Sequence, residues 1–395
     1  MKSLPIGRLF SLCYLYQIMR YYIIAGEASG DLHGSNLIKA ILNKDPNAII
    51  HCWGGDLMNK AGGKIIKHYR ELAFMGFIEV VKNLGTILRN ISFCKKDILS
   101  FQPDVVILID YPGFNLRIAK WAKTNQLKVA YYISPQVWAW KANRVKEMKK
   151  NIDRMFVILP FEKKYFREEW NWEVDYVGHP LIEAIEQYKQ HQNNVLPFKK
   201  SVIALLPGSR QQEISVKLPV MLSVTKYFPD YEFVLAKAPG IEESFYDEMI
   251  RPYSNVHYVV NQTYDLLHAA TAALVTSGTA TLETALFRVP QVVCYKGSRI
   301  SYEIAKRVIK IKFISLVNLI MGKEVVKELI QHELTEQNLR IALQQILPGS
   351  EKRTFILDAY DQLINILQTE EKASDKVATN VYEIAADKAN DNTLV

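Results

Sequence analysis

Residues 273–286 read Ala273-Leu274-Val275-Thr276-Ser277-Gly278-Thr279-Ala280-Thr281-Leu282-Glu283-Thr284-Ala285-Leu286. Leu274 to Thr276 is a short apolar, partly β-branched run, Ser277-Gly278-Thr279 is turn chemistry with a capping residue, and helix formers follow from Ala280. The pattern predicts a strand feeding a tight turn into a helix N-terminus. Such a junction offers unpaired backbone N–H groups, two hydroxyls and the positive end of a helix dipole to an anion, most often a phosphate. Glu283 lies one helical turn beyond Thr279, where its carboxylate can accept hydrogen bonds from sugar hydroxyls. An ordinary α/β joint with Glu283 on a solvated face fits this stretch as well.

The same strand–turn–helix grammar recurs along the chain. Arg20 to Ala25 predicts a strand that ends in Gly26-Glu27-Ala28-Ser29-Gly30-Asp31, with Ser29 or Asp31 placed to cap a helix over 32–42. The glycine spacing is not that of a dinucleotide fingerprint, so a nicotinamide enzyme is not supported. Ala48 to Trp53 is a second strand. Pro103 to Ile109, apolar and β-branched after its first two residues, predicts a central parallel strand covered on both faces. Asp110 follows at its carboxyl end, where open α/β sheets bind ligands, so a catalytic carboxylate and a helix cap are both open readings. Further strands are expected at 129–133, 155–159 and 174–177, and Gly178-His179-Pro180 breaks the pattern.

After a polar stretch at 191–200 the pattern restarts with strand 202–206, the loop Pro207-Gly208-Ser209-Arg210 and a helix from about Glu213. A Gly-Ser turn followed by arginine suits phosphate, because backbone donors and a guanidinium converge. Strands are expected again at 233–236, 256–260, 274–276 and 292–295; residues 298–347 read as helical with a break at 315–322, and 350–395 as polar and helical. The chain therefore reads as two strand–helix domains in tandem.

Bulk composition agrees. The 395 residues are too many for one ordinary core, and 49% hydrophobic with 23% charged residues is a globular balance. A net charge of +8 favours anionic partners: a nucleotide, a phosphorylated substrate or an acidic membrane face. Zinc-finger spacing, RNP-like segments and arginine-rich arms are lacking, so nucleic acid is not expected. Cys13, Cys52, Cys94 and Cys294 show no ligand spacing and read as a reduced, cytosolic set; without HExxH or Asp-x-Asp, metal independence is the expectation. No transmembrane segment stands out, and residues 1–18 read as a dispensable extension before Met19. Between Phe74 and Phe93 the apolar positions, Phe77, Ile78, Val81, Leu84 and Leu88 among them, form one helical stripe beside Lys82, Arg89, Lys95 and Lys96. It reads either as a core helix or as a patch that docks on an anionic bilayer.

In this order, the motifs Ala25 to Asp31, Met75 to Val80, Ile109-Asp110 through Asn115 and Ser134-Pro135 through Trp140 resemble the lipid-A-disaccharide synthases, bacterial glycosyltransferases of the GT-B fold. The resemblance continues through Leu159 to Glu162, Val177 to Pro180, Leu206 to Arg210, Ser277 to Glu283 and Glu328 to Gln331, and spans about residues 20–390.

The resemblance implies two Rossmann-like doubly wound α/β domains facing a cleft: an acceptor and membrane-facing domain at 19–180 and a UDP-sugar domain at 181–354. The C-terminal helices at 355–395 would return to the first domain, with a disordered tail. The implied reaction joins UDP-2,3-diacylglucosamine to 2,3-diacylglucosamine 1-phosphate, releasing UDP, without cofactor or metal. By the same resemblance Asp110 is the general base and Glu27 a second active-site carboxylate. Ser29, Arg210, Ser277, Gly278, Thr279, Ala280, Glu283, Asn318 and Gln331 belong to substrate binding, and the 75–91 stripe to peripheral contact with the inner membrane from the cytoplasm.

Two departures stand out: Gly113 where the family often has an acidic residue, and Val317 where it often has proline. A UDP-N-acetylglucosamine epimerase-like enzyme, another lipid glycosyltransferase and a non-catalytic nucleotide-sugar binder are the competing readings. Oligomeric state stays open.

Overall fold

The computed structural model describes residues 18–72, 84–191, 196–238, 240–297, 302 and 311–393. The chain divides into two compact units, one taking in the chain to Pro180 together with the segment from Thr369, the other Leu181–Gln368.

The first unit is built on a parallel sheet of β1 (Arg20–Ala25), β2 (Ile49–Gly54), β3 (Lys64–His68), β4 (Val105–Ile109), β5 (Lys128–Tyr132), β6 (Arg154–Val157) and β7 (Asp175–Tyr176). Their order is β3-β2-β1-β4-β5-β6-β7. Its helices are α1 (Ala28–Lys44), α2 (Asp56–Lys60), α3 (Leu84–Phe101), α4 (Pro112–Thr124), α5 (Arg144–Asn151) and α6 (Pro160–Trp170). The near-continuous apolar character of β1 and β4 follows from burial on both faces. Tyr21 and Ile23 join Leu37 and Ile41 of α1 on one side. Tyr22 and Ile24 join Ile91, Cys94 and Ile98 of α3 on the other.

The second unit opens with α7 (Pro180–His191) and carries β8 (Ser201–Leu206), β9 (Tyr231–Lys237), β10 (Val256–Val260), β11 (Ala270–Thr276), β12 (Gln291–Tyr295) and β13 (Lys327–Ile330). All are parallel, in the order β10-β9-β8-β11-β12-β13. Around them lie α8 (Gln211–Ser223), α9 (Glu243–Ile250), α10 (Thr263–Ala269), α11 (Thr279–Leu286), α12 (Leu316–Met321), α13 (Glu336–Gln344) and α14 (Glu351–Leu367). Each sheet reverses its winding once, between β1 and β4 and between β8 and β11, and such switch points hold the ligand crevices of doubly wound folds.

The last helix, α15 (Ala373–Thr393), belongs to the first unit and packs on α1, β4 and β5 through Val377, Ala378, Val381 and Ala385. The expectation that all of 355–395 returns to the first domain needs correcting. Helix α14 stays with the second unit, where the Tyr360 hydroxyl accepts from Gln291 Nε2 and Asp361 pairs with Arg288. The tail is helical to Thr393.

The break expected at 315–322 is also not a break, because α12 occupies it, and the helix expected beyond it gives way to strand β13. Lys-Glu-Leu-Ile has good helix propensity, but pairing with β12 at the sheet edge overrides it. Strand β3, the polar edge Lys64-Ile65-Ile66-Lys67-His68, was likewise not foreseen. Residues 1–17 and 73–83 lie outside the described residues, and with them Phe77, Ile78 and Val81. Of the predicted stripe, Leu84 begins α3 and Leu88 is exposed on it. Among the described residues no helix is long and apolar enough to cross a membrane.

Candidate active site

In the first unit, Ala25 at the end of β1 pairs in register with Ile109 at the end of β4. The next turns bring Glu27 and Asp110 out side by side at the switch point. Glu27 occupies the N-cap position of α1 with extended backbone, yet its side chain makes no capping bond. Asp31 does not cap α1 either. It is buried and accepts from the backbone N–H groups of Gly55, Leu57 and Met58, fixing the start of α2.

Asp110 and Tyr111 both have left-handed backbone, with φ of 43° and 49°. This conformation is strained for non-glycine residues, and more so for Tyr111 before a proline. Three bonds hold it: the Asp110 N–H donates to Tyr132 O at 2.9 Å, while its carbonyl accepts from Asn115 Nδ2 at 2.7 Å and the Tyr131 hydroxyl at 2.6 Å. Burial, reinforced by the Glu27 charge, pushes the Asp110 carboxyl up to about 6. A carboxylate so placed is a better proton acceptor than one in water, as a general base requires. Ser29 is exposed in the first turn of α1.

In the second unit the equivalent junctions are Pro207–Arg210 after β8 and Ser277–Thr279 after β11, on neighbouring strands. Gly278, with φ of 141°, forms the N-cap of α11, and no side chain caps that end. Gly278 and Thr279 are exposed and Ala280 is half-buried, so the helix N-terminus is open to an anion. The Ser277 hydroxyl donates to Ile314 O at 2.8 Å. Glu283 accepts from the Tyr264 hydroxyl at 3.1 Å, and burial raises its carboxyl. Arg210 is exposed and pairs with Glu213 at 3.3 Å.

Asn318 and Gln331 both lie against other parts of the chain. Asn318 is fully buried: its Oδ1 accepts from the N–H groups of Val325 and Val326, and its Nδ2 donates to Val326 O and Glu328 Oε1. Glu328 in turn accepts from the Ile314 and Ser315 N–H groups and the Ser315 hydroxyl. Asn318 therefore braces the loop that meets Ser277 and offers no donor or acceptor to a sugar. Gln331, half-buried, lies with its side-chain amide against the backbone of Gly297, 3.3 Å from the Gly297 carbonyl and N–H.

Two further residues were given no role from the sequence, Glu162 only as part of the Leu159–Glu162 motif and Lys217 not at all. Glu162 is 1% exposed and accepts from Trp138 Nε1, Ile158 N and Leu159 N, joining the Ser134–Trp140 loop to the start of α6. Burial raises its carboxyl to about 7. Proline at the first helical position with glutamate two residues later was the legible signal. Lys217, 3% exposed, reaches Thr276 Oγ1 at the end of β11. Its signal was a lysine on the inward stripe of Ile214, Leu218 and Met221. Among the described residues no three His, Cys, Asp or Glu side chains gather as metal ligands.

The sequence model of the Lipid-A-disaccharide synthetase family matches residues 21–382. The chain belongs to this family. A lipid-A-disaccharide synthase from Syntrophus aciditrophicus is 38% identical over 351 residues, covering 86% of this chain and 91% of its own. One from Geobacter metallireducens is 39% identical over 341 residues, covering 83% and 88%. Membership makes the chain a glycosyltransferase of lipid A biosynthesis. In fold it matches an S. aureus MnaA–UDP co-structure with a TM-score of 0.66 at 12% identity, over 92% of this chain and 96% of that one. A glycosyltransferase of kitacinnamycin gives 0.64 at 12%, over 93% and 100%. The two Rossmann-like domains are thus those of the GT-B architecture, which epimerases and transferases share.

Proposed function

We propose that the chain joins UDP-2,3-diacylglucosamine to 2,3-diacylglucosamine 1-phosphate, with inversion at the anomeric carbon. Asp110 takes the proton of the acceptor 6-hydroxyl as that oxygen bonds to the anomeric carbon. The bond from that carbon to the diphosphate oxygen breaks, and its electron pair leaves with UDP. Glu27 sustains the proton affinity of Asp110. Arg210 and the N–H groups at the start of α11 stabilise the charge that grows on the departing diphosphate, with Ser277, Gly278, Thr279 and Ala280 shaping that cradle. Glu283 meets the sugar of the nucleotide, and no metal takes part. The observation that carries the reading is Asp110 at the switch point, half-buried, strained and raised to about 6.

Leu88 and Leu99, about three helical turns apart, are exposed on one face of α3, at 55% and 51%, with Lys95 on the same side. This surface suits peripheral binding to the anionic cytoplasmic face of the inner membrane, where acylated substrates reside.

The test is incubation of purified protein with both acylated sugars, followed by mass spectrometry for the disaccharide and UDP. The expected result is product that persists in EDTA and disappears in Asp110→Asn while UDP binding is retained. UDP binding without product sinks the acceptor assignment. Product from Asp110→Asn at the wild-type rate sinks the general base, and loss of product in EDTA sinks metal independence.

A further inference from the structure

In the second unit a carboxylate from the first turn of α8 stands against the Pro207–Arg210 loop, where electrostatics alone would keep it out. A β-carbon built on Gly208 would sit 2.9 Å from Glu213 Oε2, so this carboxylate lies against the loop whose backbone is to meet a diphosphate. Like charges at such range oppose binding unless something neutralises one of them.

Two cations share Glu213. Arg210 Nη1 is 3.3 Å from Oε1 and Lys217 Nζ is 3.5 Å from Oε2, one cation on each oxygen. Their surroundings differ. The Arg210 side chain is 55% exposed and that of Lys217 only 3%. An exposed ion pair contributes little and breaks readily. A buried ammonium cannot trade its partner for water without a large desolvation cost, so it stays. Lys217 is further held by Thr276 Oγ1 and stands below both loops, near Gly208 and at the end of β11. Burial lowers its proton affinity, and Glu213 opposes that shift.

We propose that Glu213 is a shared counterion that holds Arg210 at rest, and that Lys217 keeps Glu213 neutralised when Arg210 turns to the diphosphate. Lys217 is then a positioning residue. It touches no substrate, but without it Glu213 competes with the ligand for Arg210 and repels the incoming phosphates. The inference deepens the UDP site proposed above and rests on that reading.

Calorimetric titration of UDP into the full-length protein tests it without any acylated substrate. Lys217→Met, close in length and apolar, is expected to weaken UDP binding by about tenfold, a typical coupling between sites in contact. The double variant Glu213→Gln/Lys217→Met is expected to return to within about twofold of wild type, the scatter of additive effects. A merely structural lysine would not be rescued by removing a charge. Lys217→Met that binds like wild type overturns the proposal, and so does a double variant as weak as the single one. Should Lys217→Met fail to fold, Glu213→Gln alone decides: affinity equal to or tighter than wild type supports the proposal, and a loss overturns it. A wild-type protein that binds no UDP overturns this inference and the nucleotide site together, whereas unaffected Lys217→Met beside a UDP-binding wild type overturns the inference alone.

Discussion

The Glu27 carboxylate raises the proton affinity of Asp110 across the gap between the ends of β1 and β4, adding to a larger effect of burial. A general base works ionised, so kcat/KM should rise with pH through a limb near 6, the value to which Asp110 is pushed. Glu27→Gln removes the charge and leaves the burial. The limb should then move to lower pH without vanishing, and the pH profile of kcat/KM in the two proteins reads the shift directly. An unmoved limb would mean that Glu27 acts on something other than Asp110.

Gly26 holds its place for a reason that backbone freedom does not cover. A β-carbon there would lie 2.4 Å from Cγ and Cδ1 of the Tyr111 ring, and the two residues follow closely on Ala25 and Ile109, which pair at the ends of β1 and β4. Gly26→Ala must push the ring away and disturb the left-handed pair Asp110-Tyr111. The expected outcome is a loss of about 100-fold or more in turnover, from misplacing a reacting group by an ångström or so. Stability should change by roughly 1–3 kcal/mol, as for other overpacked sites. Turnover and chemical denaturation of the same preparation separate the two effects.

The sequence was legible where one residue's surroundings are set by its neighbours in the chain. β1, β4, β8 and β11 are apolar because both faces are covered, and the turns after them carry Glu27, Asp110, Arg210 and Ser277 by simple adjacency. Partners distant in sequence were not legible. Glu162 depends on Trp138, Lys217 on Thr276, and Asn318 on Val325, Val326 and Glu328. For Asn318, resemblance named an important position, but the hydrogen bonds give it a bracing role. The edge strands β3 and β13 escaped because an edge needs no apolar alternation to pair.

That distinction is measurable. Asn318→Ala would strip a partner from the N–H groups of Val325 and Val326 and from Val326 O, all buried, while Glu328 Oε1 keeps the Ser315 N–H and hydroxyl. Each buried group left unpaired costs about 1–3 kcal/mol, so stability should fall by several kcal/mol. A residue that only contacted the donor would raise KM for the UDP-sugar and leave the unfolding midpoint alone. Denaturant titration beside the KM of the variant tells the brace from the contact.

His33 and His179, 6% and 4% exposed, are held neutral by burial, which lowers them to about 4 and about 3; the nearness of His33 adds to the effect on His179. For a depressed histidine the unfolded chain binds more protons below its ordinary value near 6.5. The stability it contributes is therefore present above that pH and is lost as pH falls towards the folded value. Asp110 and Glu162, raised by burial to about 6 and about 7, act in the opposite sense, because the folded state takes up their protons first. The wild-type stability profile should accordingly be shallow between pH 7 and 5, and the histidine contribution emerges only by difference. In His33→Gln one falling contribution is gone. The stability gap between wild type and variant should shift in favour of the variant by on the order of 1–2 kcal/mol from pH 7 to pH 5. Denaturant titrations of both proteins at the two pH values measure that gap, and a gap independent of pH would show that His33 exchanges its proton as freely folded as unfolded.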